Sequence, residues 1–161
     1  MVQVVFWLSW LILVLSSAGI VYQDFKTRLI SIWLILCFAI ANFTLYLIDH
    51  SLYDFLENSV FCLAYFLMSY LVLVLFYFLK AGRFQKILDN KIGWGDVWLL
   101  FVTGCVLPPQ NMIVFFTITF IVAVLIQLIF FRNNKSIALG AILLICYGLQ
   151  LILSGWLLAD H

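Results

Sequence analysis

Charge is what this chain has least of. Eight Lys and Arg and seven Asp and Glu make up 9% of its 161 residues, where soluble domains carry about 25%. So few charges cannot supply the polar shell of a soluble fold. That excludes an ordinary soluble globule, a nucleic-acid binder with a basic face, and a disordered tail. Proline occurs only as Pro108-Pro109. There is no CxxC pair, and Cys37, Cys62, Cys105 and Cys146 each lie inside an apolar run. A zinc site or a disulfide framework needs closer or exposed spacings, so the cysteines read as small packing residues.

What is present is apolar surface: 67% of the residues, with a mean hydropathy of +1.22. The composition is that of an integral membrane protein with little mass outside the bilayer. A helical span needs about 20 residues, so the chain holds about six. The runs are apolar on every face, whereas barrel strands alternate. The expectation is therefore an all-α membrane protein, one domain over residues 1–161, with spans near 4–22, 29–48, 59–79, 88–107, 112–131 and 137–158. The fourth is unusual. Its strongly apolar part, 97–107, rises only about 16 Å at helical pitch against a core of about 30 Å. To cross, it must begin near Leu88, inside the polar stretch 89–96. Irregular, charged backbone at that depth is tolerated only where protein or a watery cavity covers it.

Basic residues are missing from every second loop. Lys26 and Arg28 lie between the first two spans, Lys80, Arg83, Lys86 and Lys91 between the third and fourth, and Arg132 and Lys135 between the fifth and sixth. The other loops and both tails carry only acids: Asp49, Asp54, Glu57 and Asp160. The positive-inside rule makes the basic loops cytoplasmic and both termini extracytoplasmic. The first span lacks a basic region before it, so it reads as a retained span and not a cleaved signal peptide.

Three acids remain on the basic side: Asp24, Asp89 and Asp96. A carboxylate within a span costs about 2.5–3.5 kcal/mol on insertion scales, so it calls for a reason. Asp24 follows the end of the first span. Asp96 stands after Gly93-Trp94-Gly95, about 12 Å in if the fourth helix starts near Leu88. Two carboxylates at similar depth on neighbouring helices can meet, and a facing pair in low dielectric shares one proton. Such a pair suits peptide hydrolysis: one partner takes a proton from water, the other polarises the carbonyl. Gly93 and Gly95, lacking side chains, would let an extended substrate approach. Taken singly, Asp24 also fits a juxtamembrane partner of Lys26 or Arg28, Asp96 fits a helix N-cap, and Asp89 fits a loop charge. His50 and His161 fall on the opposite side and take no catalytic role.

These residues resemble the type IV prepilin peptidases, membrane aspartyl proteases with a GxGD motif. Gly93-Trp94-Gly95-Asp96-Val97-Trp98-Leu99-Leu100 fits the run holding that family's second aspartate. Asp24-Phe25-Lys26-Thr27-Arg28-Leu29-Ile30 follows the run holding the first. The resemblance implies a six-span protease fold with catalytic Asp24 and Asp96 and a substrate-contacting segment Gly93, Trp94 and Gly95. It implies no cofactor and no metal. It further implies a bacterial cytoplasmic membrane location, and cleavage of a short basic leader from prepilin or pseudopilin precursors at the cytoplasmic face. No nucleic-acid partner is implied, and oligomeric state is open. The chain departs from the family at Ser31 and Ile32, where Pro and Asn are usual, and at Trp98, where Lys is usual. Its late Pro- and Gly-containing motif is echoed only by Ile137-Ala138-Leu139-Gly140-Ala141. Longer relatives carry a cytosolic insert with paired cysteines and methyltransferase activity. This chain has neither, which implies the protease-only form. The basic loop around Lys80–Lys91 would repel a basic leader. Leader contact would fall to acids such as Asp89, and holding anionic lipid is the commoner role for such a loop.

Two other classes fit the same composition. One is a catalytically altered or inactive homologue serving as a membrane assembly subunit, suggested by Trp98. The other is a proton-coupled transport element, since intramembrane acids serve proton relays; short loops and the lack of an inverted repeat speak against it. The orientation has its own test. A reporter fused after His161 is expected to read as extracytoplasmic, and a cytoplasmic signal would overturn the assignment.

Overall fold

The computed structural model describes residues 2–27, 29–81, 93–130 and 139–159. Among them are six helices and no strand: α1 (Val2–Thr27), α2 (Ile32–Asp49), α3 (Leu52–Ala81), α4 (Trp94–Cys105), α5 (Pro109–Phe130) and α6 (Leu139–Ala159). The element order matches the six apolar runs, but not every helix is a span. By length and composition, α1, α2, the Leu52–Val72 part of α3 and the Pro109–Ile126 part of α5 can cross a membrane. The apolar Leu139–Ile152 part of α6 is shorter, and α4 has 12 residues, about 18 Å against the core's about 30 Å.

The helix ends differ from the apolar runs for local reasons. α1 continues past residue 22 through Asp24 to Thr27, because a helix needs backbone partners and not apolar side chains to propagate. α3 starts at Leu52 and not near 59. Ser51 and Asp54 form a reciprocal cap there: Ser51 N and Oγ donate to Asp54 Oδ2 at 3.0 and 2.7 Å, and Asp54 N donates to Ser51 Oγ at 3.2 Å. That is the capping-box exchange, with Asp in the distal position. α4 does not run on from residue 88, because Gly93 is extended at φ −70° and ψ 141° and forms its N-cap. Pro109 opens α5 at the first helical position, where its missing N–H costs nothing.

The core gathers on α6. Ala141, Ile142, Leu143, Leu144 and Tyr147 are buried, and α6 packs against α1, α4 and α5. Polar ties link helices inside the apolar interior: Tyr147 Oη donates to Asn42 Oδ1 at 2.7 Å, and Asn58 Nδ2 donates to Tyr46 Oη at 3.0 Å. In hydrocarbon such bonds join helices that apolar contact alone would not select.

The α3–α4 seam is built from small groups. Buried Cys62 and Cys105 contact one another through their sulfurs. A Cβ placed on Gly104 would lie 2.5 Å from Cys62 Sγ and 3.2 Å from Phe116 Cζ. Gly104→Leu is therefore expected to cost about 1–3 kcal/mol, the range for overpacking, seen as a lowered melting temperature in detergent. Gly148→Ala, whose Cβ meets nothing within 4 Å, is expected to melt no lower than the parent. Equal melting of the Gly104 variant and the parent would contradict this packing.

Candidate active site

Asp24 is where it is because of the register of α1. The buried residues of that helix are Ser9, Leu13, Ser16, Ile20 and Asp24, a single stripe at steps of three and four. Asp24 closes the stripe and is 4% exposed. It lies inside α1, not beyond its end. The turn after it is braced. Gln23 Oε1 accepts Ser31 N at 2.9 Å, and Thr27 Oγ1 accepts Leu29 N at 3.4 Å. These bonds fix the connection that carries Ile30. Arg28, Asp89 and the basic residues at 83, 86, 91, 132 and 135 lie outside the described residues.

Asp96 is the third residue of α4 and half-buried. It is not the N-cap; Gly93 is, and it provides no side-chain cap. The Asp96 carboxylate instead reaches another helix. Its Oδ1 accepts the Gly140 amide at 3.0 Å, and Oδ2 of Asp24 accepts the Ala141 amide at 2.8 Å. Gly140 and Ala141 are consecutive residues in the first turn of α6. Amides of a first turn have no partner within their own helix, and they sit at the positive end of its dipole. One turn of α6 therefore holds both acids, from α1 and from α4, at one place.

Ile30 completes the packing. A Cβ on Gly95 would lie 3.2 Å from Ile30 Cβ, and one on Gly140 would lie 3.0 Å from Ile30 Cδ1, 3.0 Å from Leu99 Cδ1 and 2.9 Å from Asp96 Oδ1. Ile30 is thus seated between two glycines on α4 and α6. The three residues expected to contact substrate have different surroundings. Gly95 faces Ile30, and a Cβ there would be tight against it, so its lack of a side chain also serves packing. Gly93 is exposed, and a Cβ there would meet only Asp96 Oδ2, at 3.4 Å; it is the open side of the site. Trp94 is 52% exposed.

Trp98, at the position where Lys is usual in the resembled family, lies with Trp94 along a groove between α2 and α4. It faces Phe101 edge-on at 6.4 Å. Reading the sequence missed Ile30 and the amides of Gly140 and Ala141. The only signal for the latter pair was the faint echo in residues 137–141, of which 137 and 138 lie outside the described residues.

Comparison with known families gives a match. The family described as the type IV leader peptidase family matches residues 4–128. That span includes both aspartates and stops before α6. It covers most of the chain, and the chain belongs to this family. No curated protein and no solved structure matches it.

The clamp on Asp96 is testable at Gly140. Gly140→Ala places a methyl against Asp96, Ile30 and Leu99 together, so it is expected to displace the Asp96 carboxylate and lower peptidase activity about tenfold or more, since ångström-scale misplacement at a catalytic site can cost about a hundredfold. Circular dichroism of the purified variant should remain helical. Undiminished activity would show that the α6 turn does not hold the site.

Proposed function

We propose that this member of the type IV leader peptidase family is a membrane aspartyl endopeptidase. In this reading Asp24 and Asp96 form the catalytic pair and the substrates are prepilin-like precursors. One observation carries it. Two acids far apart in the sequence accept hydrogen bonds from adjacent amides of a single helical turn. A pair of carboxylates gathered on adjacent amides of one helical turn fits a site that handles one proton between two oxygens.

The chemistry follows from that placement. Two facing carboxylates in a low dielectric share one proton. The ionised partner takes a proton from a water molecule, whose oxygen attacks the scissile carbonyl carbon. The protonated partner donates a hydrogen bond to the carbonyl oxygen, favouring the tetrahedral intermediate. Its proton passes to the leaving nitrogen as the C–N bond breaks. The amides of Gly140 and Ala141 keep the carboxylates oriented through both steps. Gly93, open and beside Asp96 Oδ2, leaves room for an extended peptide to approach from solvent.

Family membership and charge support a reading of the substrate and the side of cleavage. The site lies at the end of the bundle where α1 and α3 finish and α4 and α6 begin. By the positive-inside rule that end is cytoplasmic, and the membrane is the bacterial cytoplasmic one. The substrate is then a precursor whose short basic leader precedes an apolar helix, cut where the two join. Trp98 lines the groove between α2 and α4.

The test is cleavage of a prepilin-like precursor from the same genome, co-expressed or in proteoliposomes. Asp24→Asn and Asp96→Asn are each expected to lower the rate about a hundredfold or more, the lower end of what acid–base groups contribute, while still inserting in the membrane. Processing by both variants at the parent rate would refute the site, and an intact leader in the presence of the parent protein would refute the function for that precursor.

A further inference from the structure

The groove between α2 and α4 is not used by the reaction as described above. It encloses about 340 Å³. On α2 its wall is Ile32, Leu36 and Ala39; on α4 it is Trp94, Trp98 and Val102. Steps of three and four on α2 and of four on α4 place each set on one helix face, so the groove runs along the helices and not across them. Ile30 and Gly95 close its upper end, and Gly95 directly precedes Asp96. Below, a second hollow of about 150 Å³ shares Ala39 and Val102 with the first and reaches Phe43 and Phe55, whose rings meet at 4.7 Å. From Ile32 to Phe43 is about 16 Å at helical rise, or about three turns.

We propose that this groove is the docking channel for the apolar helix of the precursor, with Trp94 and Trp98 on its α4 wall. The proposal rests on the peptidase reading above. Carbonyls inside a helix are taken by backbone hydrogen bonds, so hydrolysis needs the first peptide beyond a helix end. A helix lying in this groove ends near Gly95, which directly precedes Asp96, where α4 itself starts from extended backbone at Gly93. The wall is apolar and open sideways to the membrane: Ile32 is 64%, Leu36 46% and Trp98 52% exposed. Ala39 at the middle permits close helix approach, as small residues do at membrane interfaces. Trp98 removes the cation that the resembled family usually has at this position, which suits a groove wall that meets only apolar side chains.

The experiment uses purified protein and a purified prepilin-like precursor in proteoliposomes. A photo-crosslinking residue at Leu36, in the Asp96→Asn background that retains substrate, is expected to form an adduct with the precursor. The same residue at Ile121, exposed on α5, is expected to form none. Equal yields at both positions, or an adduct at neither, would overturn the proposal and leave the groove to lipid chains. A kinetic arm uses Ala39→Trp in otherwise unaltered protein. It is expected to raise KM for the full precursor about tenfold and to leave unchanged the cleavage of a short peptide that holds the leader and junction without the apolar helix. An unchanged KM for the precursor would contradict the groove. If the unaltered protein cleaves neither substrate, the peptidase reading fails, and the crosslink still decides whether the groove binds the helix.

Discussion

Two neighbouring peptide N–H groups at the start of α6 hold the rest of the site in place. Those of Gly140 and Ala141 donate to Asp96 at 3.0 Å and to Asp24 at 2.8 Å. Each carboxylate taken into the membrane carries a cost of a few kcal/mol. Each first-turn amide is an orphan donor that needs a partner away from water. The two deficits cancel where they meet, and the helix dipole adds to the attraction. The geometry also fixes the bundle. α6 can satisfy both acids only if the ends of α1 and α4 come to the same place, which is how α6 packs against both.

The rest of the arrangement serves that meeting. Ile30, on the short connection between α1 and α2, fits between Gly95 and Gly140. The two glycines let α4 and α6 close on it without a side chain in the way. α4 is short because it starts at Trp94, after the Gly93 N-cap, and ends at Cys105, so Asp96 stands in its first turn. A full-length fourth span would have taken Asp96 deeper into the apolar core, away from solvent water. The shortness that hydropathy flags as a defect keeps Asp96 in the first turn of α4, facing the start of α6.

Much of this was legible in the sequence, and the parts that were not share a cause. Hydropathy reports side chains, so the order of six apolar helices and the two acids at one end of the bundle could be read directly. It does not report backbone partners. α1 ran on through Asp24 because helix propagation is a backbone matter, and α3 began early because of Ser51 and Asp54, a cap that can be seen in the sequence as Ser-x-x-Asp. The α6 clamp was out of reach, because every residue carries an N–H and none announces that its amide will bind a distant acid. Gly95 looked like room for substrate. Its neighbour Ile30 comes from a different helix connection, which spacing along the chain does not reveal.

The central claim is that Asp24 and Asp96 occupy one site. Thiol crosslinking in native membranes tests it most directly. With Cys37, Cys62, Cys105 and Cys146 replaced by Ser or Ala, cysteines are placed at Asp24 and Asp96 together, and a short bifunctional thiol reagent is added. The account predicts efficient intramolecular linkage of the double variant, with a mobility shift absent from either single variant. Both thiols modified separately by a monofunctional reagent, with no linkage by the bifunctional one, would contradict it.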